Sequence, residues 1–303
     1  MKYSSSIKIS SAQYAFDRMD SLDEWEDKIR RWVQSGVETG AELLVFPEYA
    51  AIEMAGCFGS EIYGNLQKTL ERVAGLTERR VQLYASLAAE HDVHILAGSG
   101  PMKSSNGGFV NGAHLVAPNG LVGCQEKNIM TPFEKEWGVQ ADSQLKVFDT
   151  GIGRIGVLIC YDCEFPLLAR AMGEAGAEIL LVPSCTERVS GFNRVRIGAQ
   201  ARALENGIVV VQSATVGEAL WSPSIDYNYG AAGIYVPPEV GVSDDGVLVE
   251  GVANEVGWVN GSIDLTALRK LRDKGEMRNF HDWSLQAGAS ELELNVEVVS
   301  LVG

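Results

Sequence analysis

The fold of this chain is decided by residues 154–166, which read RIGVLICYDCEFP. The apolar run at residues 154–160 is short and rich in β-branched side chains, which predicts a buried β-strand. Pro166 suits the first turn of a helix, so the polar residues before it form a sharp turn from strand to helix. Cys160 closes the strand, and this position would hold its thiol out of the sheet and toward a cleft.

The same rhythm of short apolar runs and helical patterns continues in both directions along the chain. The patterns predict helices that begin near Ser21 and Pro166, and helices at residues 66–91, 193–205 and 265–274. Buried strands are predicted at residues 7–13, 42–46, 93–97, 113–117, 121–125, 178–182, 208–213, 231–236, 247–251 and 257–263. The sequence has no long Pro-, Gly- or Ser-rich linker, so we expect one α/β domain whose internal sheets are covered by outer helices.

The last part of the chain is less regular than the rest. We expect a domain over residues 1–271 and a C-terminal tail over residues 272–303. Apolar and polar residues alternate in the tail over residues 292–302, which predicts a strand-like segment. Such a segment is explained more easily by docking on the domain or on a partner copy than by free solution.

Composition and charge exclude some classes of partner. The chain has 303 residues, and its 46% hydrophobic content allows a core that can bury charged groups. Its formal net charge of −15 disfavours nucleic acid and anionic membrane surfaces as partners. Residues 1–16 lack the apolar run of a signal peptide, and the five cysteines form an odd set. We therefore expect reduced thiols and a cytoplasmic location.

Besides Cys160, three charged residues follow predicted strands or turns, where their side chains could be buried away from water. Glu48 directly follows an apolar strand, and desolvation there would raise its pKa and make it a better base. Lys127 follows a predicted hairpin strand and could stabilise an oxyanion, with Glu134 as its partner. Each also has an ordinary interpretation: Cys160 as a buried structural cysteine, Glu48 as a loop or helix-capping residue, and Lys127 as a surface lysine.

Taken together, these segments resemble the nitrilase superfamily, the carbon–nitrogen hydrolases that use a Glu-Lys-Cys triad. The segments that match are FPE at residues 46–48, EK at 126–127, TPFE at 131–134, ICYDCEFP at 159–166, LVPS at 181–184 and ARALEN at 201–206. The triad follows the family order, with separations of 127 − 48 = 79 and 160 − 127 = 33 residues. The resemblance extends to about Leu271.

The resemblance implies an αββα four-layer sandwich that dimerises through its helical faces. It implies that Glu48 acts as the base, that Cys160 forms an acyl-enzyme, and that the Lys127 ammonium and the backbone N–H of Tyr161 stabilise the oxyanion. Glu134 would position Lys127 and the substrate. The substrate would be a small linear amide or carbamoyl compound that releases ammonia, and we expect no cofactor and no metal.

The choice of substrate and even of reaction stays open at this level. Tyr161-Asp162 resembles the amidase-type branches, whereas members that act on nitriles tend to have Trp-Glu after the nucleophile. Tyr161 is also expected to contact the substrate. Arg188 could bind a substrate carboxylate bidentately, or it could simply pair with Glu187. The alternatives are a true nitrilase, an acyltransferase with an amine acceptor, and a catalytically silent binding or scaffold protein.

Overall fold

The structure is a computed structural model, and it describes residues 5–142, 144–289 and 294–302. Its strands are β1 (Ser6–Ala15), β2 (Leu43–Val45), β3 (His94–Lys103), β4 (Phe109–Val116), β5 (Val122–Glu126), β6 (Val139–Gln140), β7 (Leu145–Thr150), β8 (Gly153–Val157), β9 (Ile179–Ser184), β10 (Val209–Glu218), β11 (Tyr227–Asn228), β12 (Gly233–Tyr235), β13 (Val247–Glu250), β14 (Gly257–Asp264) and β15 (Val296–Ser300). Its helices are α1 (Leu22–Glu38), α2 (Ser60–Tyr63), α3 (Leu66–Ala74), α4 (Thr77–His91), α5 (Pro132–Glu136), α6 (Pro166–Glu174), α7 (Val189–Asn206), α8 (Leu265–Lys274) and α9 (Asn279–Asp282). Short 3-10 helices lie at Ala50–Cys57, Cys160–Glu164 and Trp283–Leu285.

The strands form one nearly closed sheet. Its strand order is β15-β7-β8-β9-β10-β1-β2-β3-β4-β5, and each pairing within the run from β8 to β3 in this order is parallel. The two ends of the order approach each other, because the Lys146 amide on β7 donates to Gln125 Oε1 on β5 over 2.8 Å. The prediction of an α/β architecture with internal sheets is confirmed.

Strand β2 illustrates how the layers are held together. Its side chains point alternately to two cores, as the two-residue period of a strand requires. Leu43 and Val45 pack with residues of β8 and β9 in the other half of the sheet. Leu44 packs against the layer of α1 and α4, and Phe46 beyond the strand makes an edge-to-face contact with Tyr84 of α4, with ring centroids 5.4 Å apart. A strand buried on both faces reads as a continuous apolar run, which is why the sequence identified it.

Several predicted elements differ from the structure in their bounds, such as β3, which runs to Lys103, and α7, which begins at Val189, and two differ more deeply. Residues 66–91 form two helices, α3 and α4, because α3 ends at Gly75, a poor helix former, and the Leu76 N–H bonds to the Val73 carbonyl over 2.9 Å in place of the next i→i−4 bond. The apolar pattern continues across this break, so the sequence looked like one helix. The strand predicted at residues 154–160 ends at Val157, and Cys160 instead begins a 3-10 turn with φ of 49°.

The described part of the C-terminal tail packs on its own chain. The Arg272 guanidinium lies 3.6 Å from the centroid of the Phe280 ring, and Arg170 lies 4.9 Å from the centroid of the Trp283 ring. Strand β15 pairs in parallel with β7 at the edge of the sheet. The strand-like segment predicted at residues 292–302 thus includes a real strand, although residues 292 and 293 lie outside the described residues. The domain boundary at residue 271 stays a prediction.

None of the helices in the described ranges combines the length and the apolar composition that crossing a bilayer requires.

Candidate active site

The chemically important side chains lie where strands end. Glu48 follows β2 by three residues, and Cys160 follows β8 by three residues. Both strands are parallel members of the sheet, and Lys127 directly follows β5 in the antiparallel part. The carboxyl ends of parallel strands meet at one edge of a sheet, where clefts commonly form. The structure therefore brings together residues that are far apart in the sequence.

Lys127 is the centre of a buried ionic cluster. Its Nζ lies 2.7 Å from Glu48 Oε1, 2.9 Å from Glu134 Oε1 and 2.7 Å from Glu134 Oε2. Lys127 is 1% exposed, and each of the two glutamates is 2% exposed. One cation thus serves two carboxylates away from solvent, where charge interactions are much stronger than in water.

Glu134 is saturated with hydrogen bonds. It lies on α5, whose N-terminal Thr131 forms a capping box with it, and its Oε2 accepts from the Thr131 amide and hydroxyl over 2.9 Å each. Its Oε1 also accepts from the Tyr49 hydroxyl over 2.7 Å and from Asn111 Nδ2 over 3.3 Å. This carboxylate is fixed in place and fully committed to binding donors.

Glu48 is held more loosely than Glu134. Its Oε1 accepts from Asn111 Nδ2 over 3.0 Å in addition to Lys127, and its Oε2 accepts from the Cys185 amide over 3.0 Å. The Cys160 Sγ lies 3.8 Å from the Cys185 carbonyl oxygen, to which its thiol donates, and the charge of Glu48 acts on this thiol. Sequence reasoning did not identify Asn111 or Tyr49 as part of the site. A polar residue in an otherwise apolar strand was the available signal for Asn111.

The two glutamates differ in proton affinity. Burial raises the pKa of Glu48 above its usual value, and Lys127 offsets this only in part. Burial acts in the same direction on Glu134, but Lys127 and the hydrogen bonds from Thr131 and Tyr49 outweigh it, so the pKa of Glu134 lies below its usual value. Glu134 is therefore a permanent anion, whereas Glu48 is the carboxylate that is able to take up a proton.

The pKa values of Lys127 and Cys160 also differ from their usual values. Burial alone would lower the pKa of Lys127, but the charges of Glu48 and Glu134 raise it well above its usual value. Burial and then the charge of Glu48 raise the pKa of the Cys160 thiol well above its usual value, although Lys127 opposes them. The resting cysteine is therefore a neutral thiol next to a carboxylate, and attack by its sulfur requires that the carboxylate take its proton.

The ionic cluster opens into a cleft of about 800 Å³. Glu48, Lys127, Glu134, Cys160 and Tyr161 all line this cleft. The other lining residues include aromatic, polar and charged side chains, among them Trp137, Cys185, Glu164, Arg188, Arg194, Asp226 and Tyr227. The candidate residues that the sequence singled out thus share one cavity.

Arg188 and Cys163 can now be located. Arg188 lines the cleft, and its side chain, which is 78% exposed, lies 3.6 Å from Glu187, so the pair with Glu187 is present and binding of a substrate carboxylate stays a prediction. Cys163 is fully buried, and its Sγ faces the Val195 carbonyl at 3.5 Å. Its thiol is therefore closed off from the cleft, whereas Cys160 lines it.

We predict that Lys127→Met lowers the free energy of unfolding by about 3–5 kcal/mol, because two buried carboxylates lose their shared cation. Urea denaturation measures the change. Lys135→Met is the matched control, since Lys135 lies on the adjacent helix and is exposed, and it should change stability by less than about 0.5 kcal/mol. Equal, small changes in both variants would contradict a strongly coupled buried cluster.

Comparison with known proteins agrees with this geometry. The carbon-nitrogen hydrolase family model matches residues 6–246. A probable hydrolase of Bacillus subtilis (strain 168) is 34% identical over 277 residues, which are 91% of this chain and 53% of that protein. This chain thus spans about half the length of that relative. A deaminated glutathione amidase of Dictyostelium discoideum is 26% identical over 217 residues, which are 66% of this chain and 73% of that protein.

The fold also matches a solved structure. A Saccharomyces cerevisiae protein described as a member of branch 10 of the nitrilase superfamily superposes with a TM-score of 0.70 at 20% identity, over 89% of this chain and 94% of that chain. The expected nitrilase-type architecture is confirmed by this match. With the family match across most of its length, this chain belongs to the carbon–nitrogen hydrolase family.

Proposed function

We propose that this protein hydrolyses a small linear amide or carbamoyl compound through an acyl-enzyme on Cys160 and releases ammonia. The observation that carries the proposal is that Cys160 lines the same cleft as Glu48, a buried carboxylate whose pKa is raised, beside a lysine that two glutamates hold in place. This arrangement joins a nucleophile, a base and a fixed cation at the wall of one cleft.

In the first step, Glu48 takes the thiol proton while the Cys160 sulfur attacks the amide carbonyl carbon. The negative charge then moves to the carbonyl oxygen. The Lys127 ammonium and the backbone N–H of Tyr161 bind this oxyanion. Lys127 has three N–H donors for Glu48, Glu134 and the oxyanion, if the two Glu134 oxygens share one of them.

The proton on Glu48 then completes the cleavage. Nitrogen is a poor leaving group, so the C–N bond breaks as Glu48 passes its proton to that nitrogen and ammonia departs. The product is a thioester between Cys160 and the acyl group. Glu48 next takes a proton from water, whose oxygen attacks the thioester carbon, and the sulfur leaves and recovers a proton from Glu48. The raised pKa of Glu48 supports both directions of this proton transfer.

We further propose that an amide is preferred over a nitrile. The Dictyostelium relative carries the name of an amidase, which supports this choice. The residues after the nucleophile, Tyr161-Asp162, resemble the amidase-type branches. Arg188, at the mouth of the cleft, would bind a carboxylate at the far end of the acyl group.

The reaction suits a reducing cytoplasm, because the mechanism needs Cys160 as a thiol and all five cysteines are free.

We expect Cys160→Ala to abolish ammonia release, because alanine cannot form the thioester. Cys163→Ala should retain most of the activity, since that thiol is buried away from the cleft. An assay of ammonia release by both folded variants makes the comparison. Equal loss in both would refute the assignment of the nucleophile, and a wild-type protein that releases no ammonia from any amide would favour a silent binding protein.

A second measurement compares kcat/KM for matched amides and nitriles with the same R group, with and without a terminal carboxylate. We expect the amide of each pair to be preferred, and the carboxylate to raise kcat/KM in wild-type protein but not in Arg188→Ala. A nitrile preferred throughout the panel would establish the alternative of a true nitrilase. Product formation only in the presence of an amine acceptor would instead indicate an acyltransferase.

We also propose that the protein forms a homodimer through its outer helices. Leu167 on α6 and Val189, Ile197 and Leu204 on α7 are apolar side chains that are 41–61% exposed. Ile197 and Leu204 are seven residues apart and therefore lie on one face of α7. Exposed apolar residues that cluster in this way are typical of an interface.

Sedimentation at micromolar concentration should show a dimer for the wild-type protein. The double variant Ile197→Glu/Leu204→Glu should be a monomer, because two charges would be buried at the interface. Val240→Glu is the control, since Val240 is exposed on a loop away from these helices and should leave the dimer intact. A wild-type monomer would disprove the proposal.

A further inference from the structure

Asp162 is a buried carboxylate that the proposed reaction does not use. It is fully buried and lies two residues after Cys160, so its side chain does not reach a substrate in the cleft. Its Oδ1 accepts the N–H of Ile129 over 2.7 Å. Its Oδ2 accepts the N–H groups of Asn128 and Ile159, over 3.2 Å each. A single carboxylate thus receives three backbone hydrogen bonds from two separate segments.

These two segments are the ones that carry the reacting groups. Asn128 and Ile129 directly follow Lys127, and Ile159 directly precedes Cys160. Cys160 has φ of 49°, a conformation that is unfavourable for a residue with a Cβ and therefore needs support from its surroundings. The hydrogen bond from Ile159 to Asp162 closes the turn in which Cys160 has this conformation.

We propose that Asp162 is a positioning residue, whose ionised carboxylate holds the Lys127 segment and the Cys160 turn in the register that the reaction needs. The kinetic part of this inference rests on the proposed function. Its structural part rests on the three hydrogen bonds alone. Optimal acceptance from three donors requires the carboxylate form, because a protonated carboxyl group has a hydrogen of its own that would face an N–H group.

The charge state of Asp162 can change near neutral pH. Burial raises its pKa to about 7, although Lys127 and the three backbone hydrogen bonds oppose the shift. Lys127 is the cation that faces it from the loop after β5, and the Cys163 thiol in its own turn is neutral because burial raises its pKa. The carboxylate is therefore present above about pH 7 and is lost as the pH falls below this value, which would loosen the two segments.

The first test uses Asp162→Asn, with Glu53→Gln as a matched control. Glu53 is also a fully buried carboxylate that accepts a backbone N–H, but it belongs to a separate cluster with Lys28 and Tyr14. We expect kcat of Asp162→Asn to fall about 10- to 100-fold with little change in KM, because misplaced reacting groups slow the chemical step. Glu53→Gln should change stability but not kcat of the folded protein.

The pH profile separates positioning from a general loss of stability. In the wild-type protein, log kcat/KM should fall as Glu48 is protonated and by a further factor of about 10 to 100 as Asp162 is protonated, so the acid limb should be steeper than a slope of 1 over the pH range in which both titrate. In Asp162→Asn only Glu48 titrates, and the slope should be 1. A near-normal kcat, or an unchanged acid limb, in folded Asp162→Asn protein would overturn the proposal.

A second measurement needs neither activity nor a folded variant. Amide hydrogen exchange of the wild-type protein, corrected for the intrinsic rate, should show that protection at residues 128–129 and 159 falls together as the pH is lowered from 8 to 6. Protection in strand β9 should stay constant as an internal reference. Constant protection of both segments would overturn the role of Asp162. If no amide is hydrolysed, the proposed function fails while this measurement still decides the inference.

Discussion

The sharing of one buried lysine between two glutamates is the interaction on which the site depends. In a site without water, a cation between two carboxylates mainly stabilises one of them in its ionised form. This is the carboxylate that also accepts the most hydrogen bonds from other donors. Here that one is Glu134, which also accepts hydrogen bonds from Tyr49, Asn111 and Thr131. Burial raises the pKa of both, but Glu48 has fewer donors to offset it, and this asymmetry helps to separate the proton affinities of two chemically identical side chains.

The backbone beside the cluster adopts two conformations that are rare for residues other than glycine. Tyr49, next to Glu48, has φ of 56°, and Cys160 has φ of 49°. Both are left-handed conformations that side chains other than glycine rarely adopt, and they turn the chain sharply where a strand has just ended. Gly98 has φ of +65°, and a Cβ there would lie 2.3 Å from the Pro47 carbonyl oxygen, so only glycine permits the β3 backbone to approach the Glu48 loop this closely.

A second buried ionic cluster lies apart from the site. Lys28 on α1 lies 2.6 Å from Glu53 Oε1 and 2.8 Å from Asp17 Oδ2, and it donates to the Ala15 carbonyl. Glu53 belongs to the buried 3-10 helix Ala50–Cys57. This helix is therefore fastened to α1 and to the end of β1. The free energy of burying these charges is offset only while each retains its partners.

The sequence predicted the strands well because strands buried on both faces have nearly continuous apolar side chains, as β2 and β9 do. It predicted the ionic cluster only through family resemblance, because no helix or strand period brings together Glu48 and Lys127, which are 79 residues apart. The sequence did not predict features that depend on contacts between distant segments or on small breaks in a regular pattern. The break at Gly75 leaves the helical period intact, and the hydrogen bonds of Asn111 and Asp162 join segments that the sequence does not connect.

The residues of the proposed reaction are buried, whereas those that would select the substrate are exposed at the mouth of the cleft. Glu48, Lys127 and Cys160 are 1–5% exposed and stand at the ends of strands in the rigid sheet, so substitution near the cleft mouth leaves their charge balance unchanged. Arg188 and Arg194 have side chains that are 78% and 62% exposed, and each lies about 3.5 Å from an acidic neighbour. Such exposed pairs contribute little to stability and exchange partners readily. The mouth of the cleft can therefore vary in charge while the buried cluster stays the same, which is why the sequence supports a proposal for the reaction more directly than one for the substrate.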